Sequence, residues 1–102
     1  MPRAVTLLDE ISGRHRAISI TTTLGRQTLS RITDDAHYAS ESQFEVIRDE
    51  GSGKWLIRNL PSATNPTFYK GDPLGEEPHS LEDTGLISIG PERMKLQIKL
   101  EY

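Results

Sequence analysis

Gln43-Phe44-Glu45-Val46-Ile47-Arg48, then Asp49-Glu50-Gly51-Ser52-Gly53, then Lys54-Trp55-Leu56-Ile57-Arg58-Asn59-Leu60 read as strand, turn and strand. Phe44 and Val46 fall on one face of the first run and Glu45 on the other; Trp55 and Ile57 share a face of the second. The glycine-rich turn between them makes this an antiparallel hairpin. Working outward, Met94 to Tyr102 alternates strictly, apolar on even positions and polar on odd, as a half-buried strand does. Leu86-Ile87-Ser88-Ile89-Gly90 is a further strand, stopped at Gly90-Pro91. Towards the N-terminus, Ala4 to Leu8 is β-prone. Arg14 to Thr23, rich in Ile and Thr, also suits a pleated surface, and a hairpin through Asp9 to Gly13 joins these two runs. No helical periodicity of useful length is present. Short strands punctuated by Gly, Pro and Asp predict an all-β sandwich, a single domain over residues 1–102.

Composition narrows the function. In 102 residues, 34% are hydrophobic and 26% charged, enough for one modest core. The formal net charge of -3 argues against nucleic acid as the main partner, because phosphate backbones call for a basic face. There is no cysteine, hence no disulfide and no Cys-ligated metal, which fits a reducing compartment. No apolar run approaches membrane-spanning length, and Met1-Pro2-Arg3-Ala4 does not open a secretory signal. The expectation is a soluble, cytoplasmic domain with no membrane partner. The oligomeric state is left open.

Catalytic signatures are lacking. His15, His37 and His79 are far apart and in no metal-ligand spacing. The acid pairs Asp34-Asp35, Glu76-Glu77 and Glu82-Asp83 fall in loops and read as solvated turn residues. No nucleophile elbow or phosphate-cradling glycine loop occurs. No enzyme, cofactor or metal is expected. The densest cluster of turn residues is instead Leu60 to Gly71, between strand-like runs. Three inter-strand loops offer complementary groups: Arg26 after Gly25, Ser40, and Thr64-Asn65. A guanidinium binds phosphate through two parallel hydrogen bonds, a hydroxyl adds a third, and an Asn amide pairs with a peptide backbone. Together they suit a phosphorylated residue in an extended peptide. The same residues are also ordinary turn formers, and Arg26 an ordinary surface charge.

The order of these blocks is similar to that of a forkhead-associated (FHA) domain. Gly25-Arg26, Ser40-Glu41-Ser42-Gln43, the Trp55 strand ending in Asn59-Leu60, Thr64-Asn65-Pro66-Thr67, Lys70-Gly71 and the closing Gly90 follow the family's series over roughly residues 16–102. The resemblance implies a sandwich of about eleven strands in two twisted sheets, with binding loops at one end. It implies a non-catalytic signalling module whose partner is a phosphothreonine-containing protein or peptide. Carried over by position, Arg26 and Ser40 contact the phosphate, Thr64 assists, and Asn65 pairs with the peptide backbone. Gly25, Gln43 and Thr67 are implied to shape and brace the loops.

Several positions depart from the family pattern. Gln43 stands where the family has His, and an amide can make similar bonds. Glu41 occupies a basic or polar position; a carboxylate beside a phosphate is repulsive by ~1 kcal/mol. Pro66 replaces Gly, removing a backbone donor and disfavouring helical conformations at Asn65. Lys70 replaces Asn, Thr84-Gly85 replaces Gly-Asp, and Ala63 lengthens the loop by one residue. These departures keep a second expectation in play: an FHA-like scaffold that binds a folded partner, or itself, without phosphate.

Overall fold

A computed structural model describes residues 1–90 and 93–102. The alternating tail becomes a long strand near the middle of a six-stranded antiparallel sheet. We label the strands β1 (Ala4–Asp9), β2 (His15–Ile18), β3 (Thr22–Leu24), β4 (Phe44–Asp49), β5 (Lys54–Asn59), β6 (Thr67–Tyr69), β7 (Asp72–Pro73), β8 (His79–Ser80), β9 (Leu86–Ile89) and β10 (Arg93–Glu101). One sheet has the order β2-β1-β10-β9-β6-β7 and the other β3-β4-β5-β8. The described residues thus carry ten strands, against about eleven implied by the resemblance.

The expected hairpins form. β4 and β5 pair from Phe44 opposite Asn59 to Asp49 opposite Lys54. β1 and β2 pair across Asp9 to Gly13, whose Asp9 carboxylate accepts the backbone N–H of Ile11 and Ser12. The even positions of β10, Met94, Leu96 and Ile98, face the core, where they meet Val5 and Leu7 of β1 and Ile87 and Ile89 of β9. Opposite them, Phe44, Val46, Trp55 and Ile57 line the other sheet. Burying side chains of this size stabilises by roughly 1.5–3 kcal/mol each. The Trp55 indole N–H is not left unpaired; it donates to the Pro2 carbonyl at 2.8 Å.

Three sequence expectations are corrected. Arg14 to Thr23 is not one strand: the chain crosses at Ser19 to Thr21, so β2 joins one sheet and β3 the other. Gly71-Asp72-Pro73 reads in the sequence as a tight turn, but the turn sits one residue earlier. Lys70 and Gly71, with φ of 54° and 86°, form a two-residue loop between Tyr69 and Asp72, the positive φ at both positions being that of a type I′ hairpin turn. The weakly patterned segment after Gly25 contains a one-turn helix, α1 (Arg26–Leu29), and a 3-10 turn at Ala36–Tyr38. Leu29, Ile32, Ala36 and Ala39 from this segment close one end of the core. Pro91, expected to stop β9, lies outside the described residues.

Candidate peptide-binding site

The long β3–β4 connection and the β5–β6 loop meet at one end of the sandwich, and Gln43 is what joins them. Its side chain is fully buried just before β4. Its Oε1 accepts the backbone N–H of Ser40 at 2.9 Å. Its Nε2 donates to the Asn65 carbonyl at 2.6 Å and to the Thr67 hydroxyl at 2.9 Å. The Thr67 hydroxyl donates in turn to the Asn59 side-chain oxygen, 2.8 Å away on β5. A buried amide whose bonds are all made fixes loop geometry, because any displacement would orphan a buried polar group.

Gly25 brings the third piece. Its φ of -150° is ordinary extended backbone, so no left-handed turn requires glycine here. The requirement is space: a Cβ on Gly25 would lie 1.6 Å from the Glu41 carbonyl oxygen and 2.5 Å from its carbon. Across this close approach the Arg26 N–H donates to the Ser40 carbonyl at 2.9 Å. Thr28 ties off the same segment by exchanging hydrogen bonds with the N–H and C=O of Gly25.

Against this frame, Arg26, Ser40 and Thr64 line one shallow groove with Glu41, Ser42 and Ser62. The Arg26 Nε donates to the Ala39 carbonyl at 2.9 Å, which fixes the guanidinium plane. Its terminal nitrogens make no hydrogen bond among the described residues. The Ser40 hydroxyl oxygen accepts the Thr64 N–H at 2.9 Å, leaving its proton to donate elsewhere. The groove therefore presents a clamped guanidinium edge and an oriented hydroxyl, both donors. Glu41 is exposed on its wall.

Asn65 is exposed beside this groove rather than in it; its Nδ2 donates to the Tyr38 carbonyl at 3.1 Å. Pro66 is accommodated because its carbonyl, not its missing N–H, is the group used: it accepts from Gly90 at 3.1 Å. A cluster that sequence reading passed over lies next to Asn65. The Arg93 guanidinium sits 5.0 Å above the Tyr38 ring, and His37 packs on that ring at 4.2 Å. Arg93 lies far from His37 and Tyr38 in sequence, which left no signal that it meets them.

A model of the FHA domain matches residues 22–90, a span containing every one of the expected site residues. The chain belongs to the FHA domain family. No curated protein sequence matches it. Among solved structures, the chain is similar to the FHA domain of an Arabidopsis thaliana hypothetical protein. Identity there is 19%, covering 99% of this chain and 88% of that one, with a TM-score of 0.78. It is also similar to an FHA domain from a structural and functional analysis of phosphothreonine-dependent FHA domain interactions, at 24% identity over 97% and 98% of the two chains and TM-score 0.74. A third likeness is to an engineered FHA domain with a Myc-pTBD peptide, at 15% identity over 99% and 94% and TM-score 0.76. At these identities the likeness shows the fold, an FHA β-sandwich. Among the described residues, no helix is long and apolar enough to cross a membrane.

Proposed function

We propose that this FHA domain is a non-catalytic module that binds phosphothreonine peptides through the Arg26–Ser40–Thr64 groove. The observation that carries the reading is the arrangement of donors. Arg26 is held by its Nε and offers its two terminal nitrogens, while Ser40 has its acceptor side filled by Thr64 N–H and offers its proton. A phosphate dianion takes two parallel bonds from Arg26 and one from Ser40, all charge-assisted. The Thr64 side chain closes the groove on the side of the β5–β6 loop. Asn65, with Nδ2 on the Tyr38 carbonyl, receives a peptide N–H on its oxygen and so aligns the extended ligand. Gly25, Gln43 and Thr67 position these groups without touching the ligand. Solved relatives include FHA domains from work on phosphothreonine-dependent interactions and with a bound peptide, in accord with this reading.

The test is titration of a phosphothreonine peptide library against wild type and Arg26→Ala. Wild type should prefer phosphorylated over dephosphorylated forms, and Arg26→Ala should weaken the best phosphopeptide roughly tenfold to a hundredfold, since charge-assisted bonds are lost. A wild type that binds no phosphopeptide more tightly than its dephospho form defeats the proposal. Glu41 on the groove wall favours a second reading, phosphate-independent binding of a folded partner or of a second copy. Light scattering that finds a stable complex of unphosphorylated protein, unchanged by Arg26→Ala, selects that reading.

A further inference from the structure

Glu41 stands between two grooves. One is the Arg26–Ser40–Thr64 groove; the other, on the β3 side, is lined by Thr23, Gly25, Gln27, Thr28, Glu41 and Ser42. Glu41 and Ser42 form the wall common to both. Apart from Gly25 the residues lining the second groove carry polar side chains, and Glu41 is the charged one among them. The Thr28 hydroxyl is already committed to Gly25. No cationic side chain is among the lining residues. The chain's ion pairs among the described residues join Arg14 to Asp34, Arg48 to Glu50, Arg58 to Glu45 and Lys70 to Glu82, so Glu41 has no such partner there.

A carboxylate with no cation, in a polar groove beside a phosphate groove, is poorly explained by phosphate binding alone. By itself Glu41 repels the dianion. It becomes favourable when the ligand brings a cation to the other side of the wall. We infer that the second groove receives a lysine or arginine side chain of the same peptide whose phosphothreonine occupies the first. The inference rests on the phosphopeptide reading above. The ligand class is then a phosphothreonine with a basic neighbour, and Glu41 serves as the selecting residue.

The experiment uses a set of phosphothreonine peptides in which each flanking position carries Lys, Gln or Glu in turn, titrated by fluorescence polarisation against wild type and Glu41→Gln. At one flanking position, Lys should bind wild type about threefold to fivefold tighter than Gln, the range of an exposed ion pair. That preference should vanish in Glu41→Gln, with the Gln-bearing peptide bound as tightly as before or more so, and in wild type it should shrink as salt is raised. No Lys preference at any position in wild type, or one that survives Glu41→Gln, overturns the inference while phosphate-dependent binding leaves the phosphate groove standing. Equal binding of phosphorylated and dephosphorylated peptides by wild type instead defeats the earlier reading, and this inference with it.

Discussion

The Gln43 side-chain amide donates to the Asn65 carbonyl at 2.6 Å, and through that bond the β5–β6 loop is fastened to the β3–β4 connection. The same side chain holds Ser40 and Thr67, so one buried residue ties together the β3–β4 connection, the β5–β6 loop and the start of β6. Gln43→Ala should cost about 2–4 kcal/mol, because it leaves the Ser40 N–H and the Asn65 carbonyl unpaired and opens a cavity. Gln43→His should retain much of the stability, since an imidazole offers one donor and one acceptor to the same neighbours. Urea unfolding of the three proteins measures this. A loss below about 0.5 kcal/mol in Gln43→Ala would show that the bridge is dispensable.

Gly25→Ala tests the close approach of the Arg26 segment to Glu41. The added methyl would fall 1.6 Å from the Glu41 carbonyl oxygen, a contact that backbone must move to relieve. The shift separates the Arg26 N–H from the Ser40 carbonyl and tilts the guanidinium away from the Ser40 hydroxyl. The expected outcome is a folded protein destabilised by about 1–3 kcal/mol, as overpacked sites are, with phosphopeptide affinity reduced at least as far as by Arg26→Ala. Amide chemical shifts should change at Arg26, Ser40 and Glu41 and little at β10. Wild-type affinity in Gly25→Ala would mean the approach has no bearing on binding.

How much of this was legible in the sequence depends on the range of each interaction. The β4–β5 hairpin and β10 could be read because alternation is local and one face of each is fully buried, as Phe44, Val46, Leu96 and Ile98 are. The break between β2 and β3 could not, because Ile18 and Leu24 are both buried and a period of two says nothing about which sheet receives them. α1 is a single turn, too short for a helical period to register. At the site, the types and order of Arg26, Ser40, Thr64 and Asn65 were readable. Gly25 was implied to shape its loop, but not how: its constraint is a carbonyl sixteen residues away. The Arg93–Tyr38 contact spans the chain and left no local trace.

Lys70 occupies a backbone conformation that favours Asn or Gly, with φ of 54°. Its ammonium pairs with Glu82, which holds the Glu82 carboxyl below the usual carboxylate range and raises the Lys70 ammonium above its own. Lys70→Asn therefore trades a fully exposed ion pair for relief of the backbone, and the backbone should win, raising Tm by about 2–4 °C at neutral pH. The sign with pH follows from Glu82. A depressed carboxylate stabilises above its unfolded pKa and loses that contribution as pH falls through the folded one. Wild type alone has the pair, so the advantage of Lys70→Asn should widen below about pH 4 and also at high salt. A variant less stable than wild type at neutral pH would show that the ion pair outweighs the backbone strain.

Pro66 is a family departure within the β5–β6 loop that flanks the groove, and its neighbours' hydrogen bonds accommodate it. The Asn65 carbonyl before it takes the Gln43 amide, and its own carbonyl takes the Gly90 N–H. No bond in the loop calls for the N–H that proline lacks. Proline here restricts the unfolded chain without a matching loss in the folded one, so Pro66→Gly should lower stability by about 0.4–1 kcal/mol. It should also loosen Thr64 and Asn65, which are exposed and flank the groove. Ordering a slack loop on binding costs affinity, so phosphopeptide binding should weaken about twofold to threefold, mainly through faster dissociation. Chemical denaturation and stopped-flow dissociation measure the two effects separately. A Pro66→Gly protein that binds more tightly than wild type would show that proline strains the loop away from its binding conformation, reversing the role argued for it.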